Sequence, residues 1–149
     1  MAHSDYTPSD VMHRRTPLPL QRRFLLFGAP VLINTNYESI MRAAEASGFV
    51  PDTDTDYVSC MKWEIVGEPG IASAFGWDCD VSLGDHSLYL NMGLQQWFAF
   101  DLETRHGAGF VVVHNQDRAL DTNAELYLAS VAYNVGAGLR SALEKNCCD

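Results

Sequence analysis

In the stretch YVSCMKWEIVG, residues 57–67, bulky apolar side chains return at every second position. Met61, Trp63 and Ile65 fall on one side of an extended chain, and Cys60, Lys62 and Glu64 on the other. A period of two does not fit a helix, whose faces repeat every 3.6 residues, so the chain contains a strand with one buried face. The pattern continues downstream. SLYLNM puts Leu88, Leu90 and Met92 on one side of a strand over Ser87–Met92, and a Gly84-Asp85 turn joins it to a strand over Phe75–Leu83. WFAFDLETRHGAGFVVV then reads as a strand over Trp97–Leu102, a turn at Glu103–Gly107 and a strand over Ala108–His114. Strands joined by such short turns form an antiparallel meander.

Upstream, the runs Phe24–Phe27 and Val31–Ile33 flank Gly28-Ala29-Pro30, which predicts a hairpin. In TNYESIMRAAEASG, Thr35 and Glu38 have the spacing of a capping box. Tyr37, Ile40, Met41 and Ala44 share a helical face, and Gly48 suits the stop. A second box, Thr122 to Glu125, opens a helix of about 20 residues whose stripe includes Leu128, Val131, Val135 and Leu139. Gly136 and Gly138 inside it each cost about 1 kcal/mol against alanine, which points to a close contact or a kink. The order is hairpin, helix, meander, helix, without alternating βαβ units. It predicts an α+β fold: an antiparallel sheet, meander plus N-terminal hairpin, with two helices packed on one face. Residues 1–20 read as a flexible tail, 21–146 as a single domain and 147–149 as a C-terminal tail. A 149-residue chain with 47% hydrophobic residues can bury one core without disulfides.

Nineteen acidic residues against ten basic ones give a net charge of -9, which opposes attraction to phosphate backbones and anionic lipid. No nucleic acid or membrane partner is expected, although Arg14, Arg15, Arg22 and Arg23 crowd the N-terminal segment. There is no apolar h-region and no run of the ~18 apolar residues a membrane span needs, so a cytoplasmic protein is expected. Cys60, Cys79, Cys147 and Cys148 lack zinc-site spacing. Asp52, Asp54 and Asp56 imitate a calcium loop, but its required glycine and glutamate positions hold Tyr57 and Trp63, leaving a solvated acidic loop. His106 and His114 are separated by a strand of roughly 20–25 Å and cannot share a metal. Neither a P-loop nor a Gly-x-Ser-x-Gly elbow occurs, and Asp78 and Asp80 around Cys79 disfavour a thiolate. No catalytic residue, metal or cofactor is therefore assigned.

Asp101, Arg105 and His106 remain. An acid at the start of a turn commonly accepts hydrogen bonds from the turn's own amides, a structural role. The functional reading is a ligand or partner surface built from Trp97, Asp101, Arg105 and His114.

The segments LLFGAPVLINTN, WFAFDLETRHGAGFVV and ELYLASVAYNVGAGLRSAL carry a Phe-Gly-x-Pro-Val hairpin, an aromatic-Asp-Leu-x-Thr turn and a Gly-Phe strand. Over most of residues 22–143 the chain resembles the N-terminal, non-catalytic region of bacterial proteins related to HPr serine kinase/phosphatase. The resemblance implies an accessory α+β domain preceding a P-loop kinase domain. That glycine loop is absent from these residues, so no kinase residue is carried over. The expectation is a non-enzymatic regulatory or protein-binding domain acting through the exposed sheet face or the Asp52–Asp56 loop. Its partner would be a protein, such as a separate kinase-like subunit. The alternative is a small-ligand-binding protein or small enzyme with a pocket between sheet and helices, using Asp101 or His114. A third is a homodimer that pairs sheet edges or buries Trp77, Trp97 and Phe98.

Overall fold

The first hairpin pairs β1 (Leu20–Leu26) with β2 (Ala29–Thr35), so the turn is the two residues Phe27 and Gly28, and Pro30 already lies in a strand. Both turn residues have positive φ, 50° and 83°, the handedness that matches the twist of the flanking strands. In this computed structural model, residues 17–70, 80–93, 96–114 and 121–148 are described. The expected strand over Phe75–Leu83 lies partly outside them, as do residues 1–16.

After β2 come α1 (Glu38–Ala46), β3 (Val50–Pro51), a 3-10 turn (Tyr57–Ser59) and β4 (Met61–Pro69). Then follow β5 (Asp80–Leu83), β6 (Ser87–Asn91), β7 (Trp97–Asp101), β8 (His106–Val113) and α2 (Thr122–Cys148). The eight strands form one sheet in the order β3-β1-β2-β4-β8-β7-β6-β5. The meander from β5 to β8 is antiparallel as expected. The centre is not. β4 runs parallel to both β2 and β8, so the sheet is mixed and the expectation of a purely antiparallel one is corrected. The physical reason is α1: with the loop after it, the helix carries the chain back across the sheet, so that β2-α1-β4 is a βαβ crossover. An α+β fold with both helices on one face stands, since α1 and α2 touch one another and pack on β2, β6 and β8.

Helix starts differ from the spacing argument. Thr35 ends β2 with its hydroxyl buried and unpartnered, and α1 begins after Tyr37 with no side-chain cap. Asn36 instead extends the β2–β4 ladder: its amide donates to the Gly67 carbonyl at 2.9 Å and accepts from the Gly67 amide at 2.8 Å. At α2 the cap is Asp121, which accepts from the Ala124 amide at 3.1 Å, one residue ahead of the expected box. The helix continues through Cys148, into the stretch read as a tail. No helix among the described residues is long and apolar enough to cross a membrane.

Odd-numbered positions of β4 face the helices, and Trp63 stands at the middle of the core with edge-to-face contacts to Phe49, Phe98 and Phe100 at 5.7, 5.0 and 6.1 Å. Phe98, counted above among possible dimer aromatics, is wholly buried, and Trp77 lies outside the described residues. Two glycines make room for these rings. A Cβ at Gly107 would crowd Phe98 and Trp63, and one at Gly109 would overlap the Tyr127 hydroxyl. That hydroxyl donates to the Trp97 carbonyl at 2.7 Å. Gly136 has the close contact expected of it: a Cβ there would overlap the ring of Phe27, so the hairpin tip rests on α2.

Candidate functional site

The ring-filled layer between sheet and helices leaves the opposite face of the sheet as the place to look. Strand pairing sets one row of side chains across that face: Tyr89 opposite Ala99, Ala99 opposite Ala108, Ala108 opposite Glu64. Two cross-strand alanines between larger neighbours make a depression. It is a trough of about 220 Å³ lined by Glu64, Ser87, Ala99, Phe100, Asp101, His106, Gly107 and Ala108. Tyr89, 43% exposed, stacks on Trp97 with ring centroids 6.4 Å apart and bounds the face toward β6.

Glu64 is half-buried in the central strand and, among the described residues, makes no hydrogen bond or ion pair. Asp101 is bound to its own turn. Its Oδ1 accepts from the amides of Glu103 at 2.8 Å and Thr104 at 3.1 Å, and these bonds, Thr104's first, hold the carboxyl below its ordinary pKa. It is ionised at neutral pH. Arg105 takes φ 63° at the end of that turn, with its amide donating to the Asp101 carbonyl at 2.7 Å, so it closes the turn. His86 lies 3.7 Å from Glu103 on the exposed rim.

The four surface residues expected together are split between two ends of the sheet. Asp101 and Arg105 sit at the β7–β8 turn. Trp97 pairs with Phe110 at the other end of β7, and the His114 amide donates to the Asp121 carboxylate at 2.6 Å beyond the far end of β8. Trp97 therefore borders the trough's face, and His114 belongs to the cap of α2. Glu64, Ser87, Ala99 and Ala108 were not singled out from the sequence. The signal for Glu64 was there, in the alternation that sets it opposite Trp63. The alanines needed the β7–β8 register, which requires the turn at Leu102–Arg105 rather than Glu103–Gly107.

The acidic loop is tied internally. Asp52 accepts from the Asp54 amide at 3.1 Å and Asp56 caps the 3-10 turn through the Ser59 amide at 3.1 Å. Hydrogen bonds from Thr55 and Asp54 lower the pKa of Asp52. Arg23 donates to the Thr55 carbonyl and lies over the Tyr57 ring, 4.8 Å from its centroid. Cys60 is buried, which raises its thiol pKa and keeps it protonated. Among the described residues no three His, Cys, Asp or Glu side chains converge to hold a metal ion. Compared with protein-family models, curated proteins and solved structures, the chain matches none.

Proposed function

We propose that the chain is a non-enzymatic protein-binding domain of the cytoplasm and that its docking surface is the open sheet face around the Ala99–Ala108 trough. One observation carries the reading. The central strands β2, β4 and β8 are parallel, an arrangement normally covered on both faces, yet among the described residues the helices lie on one face only. The other face presents Ala99, Ala108 and the Tyr89–Trp97 stack around a half-buried carboxylate, while Leu32 and Phe110 on the same face are buried, so the opening is confined to the trough. A partner laid over the trough would cover the sheet there. The resemblance to the accessory region of HPr-kinase-related proteins supports the same reading, with a separate kinase-like subunit as the partner it suggests.

The test is a pair of bulky substitutions on the trough floor, Ala99→Arg and Ala108→Arg, compared with Ala129→Arg on the exposed side of α2. Both floor variants are expected to lose the partner that co-purifies with the unaltered chain and to unfold within a few degrees of it; Ala129→Arg keeps the partner. Retention by the floor variants contradicts the proposal.

A further inference from the structure

The geometry points to an arginine side chain, carried by an extended segment of the protein partner, as the group that fills the trough. This inference rests on the open face being the docking surface, and it adds the chemistry of what docks there. The lining combines two alanines and the glycine backbone of β8 as a flat floor, a free carboxylate at Glu64, and a second carboxylate at Asp101 that its turn amides keep ionised. Asp101 Oδ2 is left for an outside donor, because both amide bonds fall on Oδ1. A half-desolvated carboxylate without a partner is costly, and a cation that reaches it removes that cost.

Among the described residues no lysine or arginine pairs with either acid, and His106, the imidazole of the lining, forms no ion pair with them. Lys62, two residues along the same face, forms no ion pair with Glu64. Arg22 is spent on Glu38 and Glu45 at 3.3 and 3.4 Å, and Arg23 on the Asp52–Ser59 loop. With a net charge of -9, the chain complements a basic partner. Arginine fits better than lysine here. Its guanidinium is planar, lies flat on a floor of small side chains and offers several donors to two acids.

The full ¹⁵N-labelled chain would be titrated with acetyl-Gly-Arg-Gly-amide, with the lysine and glutamate counterparts, and with the citrulline peptide, a neutral isostere of the arginine one. The arginine peptide is expected to shift the amides of Ala99, Asp101 and Ala108 and to bind about fivefold more tightly than citrulline. Glu64→Gln and Asp101→Asn, which keep shape and the turn's acceptor, should each erase most of that difference while leaving the spectrum of the free fold in place. Citrulline binding as well as arginine, or indifference to both substitutions, overturns the arginine assignment and leaves the docking face standing. Shifts confined to residues off the open face overturn both. No shift with any peptide at millimolar concentration overturns the arginine assignment, and the docking face is then decided by the trough-floor variants.

Discussion

Gly109 carries a packing decision that no side chain could. It lies opposite Phe98 in the β7–β8 ladder, and the space above it holds the hydroxyl of Tyr127, which is bound to the Trp97 carbonyl. Gly109→Ala should destabilise the fold by about 1–3 kcal/mol, the usual cost of overpacking. Tyr127→Phe should cost about 0.5–1.5 kcal/mol by removing the hydrogen bond to the Trp97 carbonyl. In the double variant the added methyl meets no hydroxyl, so denaturant titrations should give a sum smaller than the two single losses; simple additivity would show that the two groups do not compete for that space. At this scale Asp101 was legible, because an acid opening a turn has a local use that sequence spacing reveals. Glu64 and Asn36 were not singled out. One depends on what a distant alanine leaves open, the other on a ladder bond to Gly67.

The two helix starts show where element-level reading stops. DTNAE offers two overlapping cap arrangements, Asp121 with Ala124 and Thr122 with Glu125, and the spacing rule favours the second. The structure uses the first, because Asp121 also accepts from the His114 amide at 2.6 Å and so ties α2 to the end of β8. Asp121→Ala should therefore cost about 1–3 kcal/mol in thermal or chemical unfolding, whereas Thr122→Ala should stay within about 0.5 kcal/mol. Equal effects would return the cap to Thr122. β8 was the strand hardest to orient from sequence. Its core-facing positions near the start are Gly107 and Gly109 while the open face takes Ala108, so the expected apolar alternation is hidden where it decides the register.

For the whole molecule, local patterns identified the hairpin, the meander and both helices, and hence the fold class. They did not reveal that β4 would enter between β2 and β8, since a parallel neighbour leaves no short-range turn to mark it. That insertion sets Glu64 beside Ala108 and so builds the trough on which the functional reading depends.

Charge acts at the same scale. Asp52 and Asp101 have lowered pKa values in the fold, so the stability they confer is complete above the ordinary carboxylate range and disappears as pH falls through their lowered values. Asp101→Asn should make the fold less sensitive to acid over that range than the unaltered chain. A stability–pH curve of unchanged slope would show that the turn hydrogen bonds do not favour the ionised form.

The binding claim itself is tested most directly by site-specific photo-crosslinking in the cells that make the protein, with benzoylphenylalanine placed at Ala99 on the trough floor or at Ala129 on the outer side of α2. Docking on the trough predicts one discrete protein adduct from position 99, weakened by Glu64→Gln, and none from position 129. An adduct formed from position 129 alone would contradict it.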